Sequence, residues 1–590
     1  MAARSITGKL LAGLLCLIAF SLQQLHAQVK VNVEIDGINQ QLEQNVRLFL
    51  SIEQQKDSEL LSQGRLQRLH KKALQEIRKA LEPFGYYRVK VTNSILEKDK
   101  GGSWRASYSI DAGQSIPVGI LDFQLDETIQ SDSAFQALLE GISLKPGAPF
   151  QHAEYERIKS ELVRLASERG YVAARFTRHQ VEIDLQHYQA NVYLHFEAGQ
   201  RYKFGNISFS QVVLDEDLLH RFLPFKEGDP FHMDKLIEMQ QALNDSDYFS
   251  TVEVSPGDAD VEKLQVPVSI HLTARKRHRL SLGLGYGSDT GARAKFGWQI
   301  PRYNKQGHRI DTQASISQLG YSLSTQYTVP ILNPRTDQLI YSAAQVNEKT
   351  DSSESTLKTL GISLNRKRGQ WRESLSVNYQ QEDFTIADTS DQATLLIPGS
   401  HWSRVWGREF WGNKLLGFFE GIRLDLGVRL GSTQLLSDVD FTQFTGAIKS
   451  INRLGGAHRI ISRGRIGYTN THDFEQLPAT VRFFAGGAQS VRGYSYESLG
   501  PVDTDGDVVG GAYLLEGSIE YEYSINARWG VALFLDAGNA MNDLSNDLER
   551  GAGFGLRWNS PIGAVRFDLA NAISSDDKPW RLHINIGPDL

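Results

Sequence analysis

A chain of 590 residues with 52 glycines, 10% aromatic residues and a formal net charge of −6 is long enough for several domains. It has no basic excess of the kind that marks a nucleic-acid binder. Past residue 30 no unbroken apolar run approaches the ~18 residues a spanning helix needs, so a helical membrane protein is excluded.

The first 27 residues read as a removable signal peptide. Arg4 and Lys9 give a positive start, Leu10 to Leu22 is almost wholly apolar, and Leu25-His26-Ala27 ends on a small residue. An apolar stretch of ~13 residues is too short to span comfortably. The single cysteine, Cys16, lies inside this segment, and Leu14 and Leu15 before it do not suit a lipid-attachment site. The chain after cleavage is expected to hold no disulfide and no thiolate metal site, which suits an oxidising compartment.

From Gln28 to about Ala274 the chain repeats itself three times. Asp111-Ala112-Gly113-Gln114 returns as Glu197-Ala198-Gly199-Gln200. Lys145-Pro146-Gly147-Ala148-Pro149-Phe150 returns as Lys226-Glu227-Gly228-Asp229-Pro230-Phe231. Gly85-Tyr86, Gly170-Tyr171 and Asp247-Tyr248 each close a helix. The units are expected at 28–112, 113–199 and 200–275, each ordered β-α-α-β-β. Tyr155, Ile158, Leu162 and Leu165 show the helical period in the second unit, and Asn191–Phe196 shows the strand period. A glycine before the tyrosine takes the left-handed turn that ends a helix, and the aromatic packs back into the core.

From 276 to 590 the period changes to two. Leu280, Leu282, Leu284 and Tyr286 alternate with Ser281, Gly283 and Gly285; Ile422 to Leu430 and Leu582, Ile584 and Ile586 do the same. A soluble β-sandwich also alternates, so parity alone does not separate the two. The leader, the steady run of such strands and eight of the nine tryptophans falling after residue 275 favour a membrane barrel with lipid outside and a polar lumen. At roughly 19 residues per strand and connection, with membrane strands of ~9–11 residues, the segment predicts 16 strands.

Inside this region stands Arg482-Phe483-Phe484-Ala485-Gly486-Gly487, followed by Val491-Arg492-Gly493-Tyr494. In Gly530–Gly538 the apolar face is Val531, Leu533 and Leu535, so Asp536 points into the lumen; Ile519, Tyr521 and Tyr523 turn Glu520 inward in the same way. Two inward carboxylates need a cation, and Arg492 carries the planar fork that binds them. The candidate loop anchor is therefore Val491, Arg492, Gly493 and Tyr494 with Asp536, assisted by Glu520.

The wording of this loop, Phe534-Leu535-Asp536-Ala537-Gly538 and Gly553-Phe554-Gly555-Leu556-Arg557 all resemble the Omp85 superfamily, and the repeated units resemble its POTRA domains. Three units, Phe483-Phe484-Ala485-Gly486-Gly487 and the ending Ile586-Gly587-Pro588-Asp589-Leu590 are most similar to the TamA branch. The resemblance implies an outer-membrane barrel with POTRA domains in the periplasm. It implies unfolded autotransporter and other barrel clients, outer-membrane lipid as surroundings, and a TamB-like partner anchored in the inner membrane. It leaves phospholipid passage open. Gly587-Pro588 is expected to stop the last strand early, since proline cannot donate to a ladder. A seam is then expected between Leu280, Leu282 and Leu284 on the first strand and Leu582, Ile584 and Ile586 on the last, with Leu284 near Ile584.

No catalytic, cofactor-binding or metal-ligating set is identified. Asp503-Thr504-Asp505-Gly506-Asp507 departs from the calcium loop, which wants its glycine sixth and a glutamate twelfth, and reads as an exposed loop. Two function classes remain: an assembly factor acting through the seam, and a secretion pore exporting a dedicated soluble client. Three units and no N-terminal plug helix favour the first.

Overall fold

The computed structural model describes residues 29–100, 102–211, 213–409, 419–561 and 563–586; the leader at 1–27 and the Gly587-Pro588 stop lie outside them. Two compact units result. One holds the chain through Asn206 with Lys226–Asp234 and Pro256–Val268; the other holds Ile207–Phe225, Lys235–Ser255 and Ser269–Leu590. The helices of the third small domain thus belong with the barrel.

The first domain is built from strand Val31–Asp36, helices Gln40–Phe49 and Gln63–Leu81, and strands Lys90–Lys98 and Trp104–Asp111. Trp104–Asp111 is the centre of its sheet, parallel to Val31–Asp36 and antiparallel to Lys90–Lys98. The second domain repeats this with Val118–Leu125, Gln189–Glu197 and Arg175–Asp184, and the third has the same strand order. Asn39, Ser62 and Asp132 cap helix starts through their side chains. Leu66, Leu69, Ala73, Ile77 and Ala80 put one face of Gln63–Leu81 against the sheet. Gly85 at φ 85°, Gly170 at φ 83° and Asp247 at φ 62° end the long helices in the left-handed region. Behind them Tyr171 and Tyr248 are buried.

Sixteen antiparallel strands, from Arg279–Gly287 to Trp580–Ile586, close the barrel. Its turns at one end grip the third domain. The Tyr248 hydroxyl donates to the Gly307 carbonyl at 2.6 Å, the Asp215 N–H to Lys305 at 2.9 Å, and Arg335 meets Glu238 at 3.0 Å. That end carries Trp298, the Trp371–Trp406 pair and the stacked Trp529–Trp558 pair, an aromatic girdle.

Strand length departs from the expected ~9–11 residues. Ser353–Arg368 and Trp371–Ile386 have 16 residues and Thr389–Glu409 has 21. The physical reason lies at their far ends. There Phe384, Ile386, Leu395 and Ile397 face inward and are covered by Leu477, Ala479 and Val481 of the long loop after Thr471. These strands overrun the bilayer to make a dry seat for that loop.

One prediction concerns the second domain. Glu154 accepts from Arg157 at 2.7 Å and from the Ser143 N–H at 3.2 Å, and the Arg157 hydrogen bond holds its carboxyl down at about 2. A carboxyl depressed by folding stabilises above its unfolded pKa, and the stabilisation is lost as the pH falls through the folded value. Glu154→Gln is expected to cost ~1 kcal/mol at pH 7, discounted for the exposed Arg157, and nothing near pH 2. Proteolysis of this domain in the full-length protein at the two pH values measures it; equal loss at both would sink the assignment.

Candidate functional site

The loop between His458–Thr471 and Tyr513–Ser524 folds back into the barrel and delivers Arg492 to a site where its side chain is 2% exposed. Arg492 grips Asp536 with both arms of the fork, Nε to Oδ2 at 2.7 Å and Nη2 to Oδ1 at 2.8 Å, and adds its own backbone N–H at 3.1 Å. Nη1 donates to Glu520 at 2.6 Å. The guanidinium carbon lies 3.5 Å over the Phe534 ring, so one face is apolar and the edges are fully used. The structure therefore places Arg492, Glu520 and Asp536 in one cluster on the lumenal wall.

The cluster is larger than the sequence reading. Arg557 donates to Glu520 at 2.7 Å, to Glu522 at 3.0 Å and to Asp568 at 2.5 Å, and Arg459 reaches Glu522 at 2.7 Å. Asp568 also lies 3.5 Å from Arg492. Arg459, Glu520 with Glu522, Arg557 and Asp568 come from four strands, and inward parity was the signal that could have found them. Gly551 makes room for the loop: a Cβ there would stand 1.9 Å from the Arg492 carbonyl oxygen.

The other motif residues are fastened separately. Val491 is fully buried with Ala485, Leu499, Leu514 and Ala540. The Tyr494 hydroxyl donates to Glu549 at 2.7 Å and lies 2.9 Å from the Ser574 hydroxyl. Gly493 holds φ 102°, and a Cβ there would stand 2.9 Å from the Ala572 nitrogen. Its N–H donates to His583 Nε2 at 3.0 Å, on the last strand. On the first side of the barrel, Asp289 accepts from the Ala488 N–H at 2.6 Å. Asp289 also comes within 3.5 Å of His583. The loop thus touches both flanks of the junction between first and last strands, through residues the sequence reading missed.

At that junction, among the described residues, Tyr286 pairs with Ile586 and Gly287 with Asn585, and the Ser288 N–H donates to Ile584 at 2.9 Å. The ladder from Val565 to Asn571 on the other side of the last strand is continuous. Leu280, Leu282 and Leu284 are 66%, 75% and 74% exposed on the outer wall, and Leu582 is 52% exposed beside Ile584 and Ile586. Leu284 is not near Ile584. The register sets Ile584 against Ser288, four residues on, because the strands are staggered by the shear of a closed barrel. Asp503–Asp507 forms a turn in which Asp503 accepts from Asp505 at 3.0 Å and Asp507 at 2.9 Å.

A sixteen-strand barrel carrying small β-α-α-β-β domains, with an arginine loop locked inside, defines a class of outer-membrane protein. The family model described as the Omp85 superfamily domain matches residues 303–589. The model for POTRA domain TamA domain 1 matches 32–112, and that for the surface antigen variable number repeat matches 126–199 and 202–275. The chain belongs to the Omp85 superfamily; it is an outer-membrane protein with periplasmic POTRA domains, and not an enzyme. Outer membrane protein assembly factor BamA of Nitratidesulfovibrio vulgaris is 24% identical over 60% of this chain and 46% of its own length. The protein of the same name from Neorickettsia risticii is 23% identical over 74% of this chain and 61% of its own. The chain thus spans about half to two thirds of these curated relatives. Haemophilus ducreyi BamA lacking POTRA domains 1–3 has the same fold, with a TM-score of 0.65 at 17% identity, covering 80% of this chain and 99% of that one.

Breaking a buried ion pair by removing one partner costs ~3–5 kcal/mol. Arg492→Ala is therefore expected to speed hydrogen exchange of the loop amides at 485–499 by about two to three orders of magnitude. Arg492→Lys, which keeps the charge and loses the fork, should fall between. Gly551→Ala should expel the loop from the wall side. Unchanged exchange in Arg492→Ala would show that the loop is held by its apolar contacts instead.

Proposed function

We propose that this chain is an outer-membrane assembly factor of the TamA type, which receives unfolded barrel proteins, autotransporters among them, at the seam between its first and last strands. The observation that carries this is the seam itself: two register pairs among the described residues, beside ladders that run unbroken everywhere else round the wall. An unpaired strand edge is a template for another strand. Among the described residues the edge runs along Arg279–Gly285 on the first strand and along Trp580–His583 on the last.

The match of residues 32–112 to the first POTRA domain of TamA supports the TamA branch, and the curated relatives named as outer membrane protein assembly factors support assembly of barrel clients. On this reading a TamB-like protein anchored in the inner membrane meets the periplasmic domains. Arg492 and its carboxylates hold the loop as a plug in the lumen, so the client's route runs along the wall and into the lipid. A secretion pore would need the lumen that the loop occupies.

The seam geometry chooses the test. Gly287 and Asn585 pair at a step between hydrogen-bonded pairs, where Cα atoms lie closest and a disulfide fits best. Gly287→Cys with Asn585→Cys is expected to crosslink on oxidation and to abolish client insertion into vesicles by the purified protein, with recovery on reduction. Insertion that continues through the crosslinked barrel rejects lateral entry and leaves lumenal export as the function.

A further inference from the structure

The outer wall carries a cluster of arginines where lipid chains are expected. Along Ser353–Arg368 the even positions face outward, with Leu360 and Ile362 exposed to lipid. The same face continues through Arg366 and Arg368 to the periplasmic turn. Cross-strand pairing sets Glu373 beside Arg366, Trp371 beside Arg368 and Arg404 beside Trp371. Arg404 packs on an edge-to-face tryptophan pair, its guanidinium carbon 4.5 Å from the Trp406 ring centre and 5.7 Å from that of Trp371, and it donates to Gln370. Glu373 approaches Arg368 at 2.8 Å but without hydrogen-bond alignment. The Nε groups of Arg366 and Arg404 are shielded from solvent and have no hydrogen-bond partner among the described residues. Among the described residues, one carboxylate thus stands in a cluster with three guanidiniums, leaving an excess of positive charge framed by tryptophans.

Further up the same wall runs an apolar furrow of about 580 Å³, lined by Tyr327, Tyr341, Ile362, Val377 and Leu396. Ala343, paired with Leu360 on the outer face, leaves room for it by supplying almost no side chain. Arg366 and Ile362 are four residues apart on one strand, ~13 Å along it and ~10 Å in depth at a barrel tilt of about 40°, which sets the furrow within the ~15 Å hydrocarbon depth of one leaflet. Cation above turn, tryptophan at the interface and furrow in the hydrocarbon follow the order of headgroup, glycerol and acyl chain.

We infer that this face is a binding site for an anionic phospholipid of the periplasmic leaflet. The phosphate is held by Arg366 and Arg404, and the chains lie in the furrow between Tyr341 and Val377. The charge excess selects an anionic headgroup over a zwitterionic one, since each basic residue near such a surface contributes ~1 kcal/mol, about fivefold. The site depends on membrane orientation alone, so it stands or falls separately from the seam.

Native mass spectrometry of the full-length protein in detergent, loaded with phosphatidylglycerol or phosphatidylethanolamine, tests this. The wild type is expected to prefer phosphatidylglycerol by about fivefold for each of the two arginines. Arg366→Gln with Arg404→Gln should lose about fivefold of that preference for each arginine, and Lys358→Gln, higher on the same strand, should lose none. Arg404→Lys should fall between by keeping charge without stacking. Equal loading of the two lipids by the wild type, or an equal loss in Lys358→Gln, overturns the site. The wild-type comparison decides alone should a variant fail to fold, which gel mobility before and after heating reports.

Discussion

The burial of Arg492 is the constraint on which the upper half of the barrel depends. Removing a guanidinium from water costs several kcal/mol, and only well-aligned carboxylates return it. Asp536, Glu520 and Asp568 lie on three separate strands, and all lie within 3.5 Å of that one side chain. Without the loop these acids would crowd one stretch of the lumenal wall with one guanidinium fewer to hold them. The dependence is therefore mutual: the loop needs the wall to bury its charge, and the wall needs the loop to complete its own.

That mutual dependence divides the barrel into a firm side and a soft side. Strands His458–Thr471 through Gly563–Ala572 are tied by side chains as well as by ladders, through Arg459, Glu522, Arg557 and Asp568. The first strand shares none of these ties. Its side of the junction is joined to the last strand and the loop by a short pairing, the Asp289–Ala488 bond, the Arg293–Asn585 bond and the approach of Ser288 and Asp289 to His583. Flexibility at the seam is thus not spread round the ring but confined to one junction.

The sequence made the architecture legible where physics acts locally. Period two over hundreds of residues placed the strands, and the apolar faces of Val531–Leu535 and Ile519–Tyr523 turned Asp536 and Glu520 inward. The same argument could have reached Arg557 and Asp568, which share that parity. Two things were beyond it. Stagger across the closure depends on the shear of the whole barrel, so Leu284 and Ile584 miss each other by four residues. The length of Thr389–Glu409 depends on what covers its far end, and Leu395 and Ile397 are apolar for Leu477 and Val481, not for lipid.

A seam this short has an energetic consequence. Each ladder hydrogen bond is worth ~0.5–1.5 kcal/mol net in water, and leaving one unmade where water is scarce costs more. Widening the seam therefore exposes few new groups, and on the proposed function a client strand laid along this edge would satisfy many. On that proposal the exchange would be close to balanced at the start and favour the client as its ladder lengthens. What keeps the empty seam from spreading is the loop, because Ala488 and Gly493 hold opposite flanks while Arg492 between them cannot leave without stranding Asp536. The charge buried at the centre of the loop thus sets how far the edge of the barrel can move.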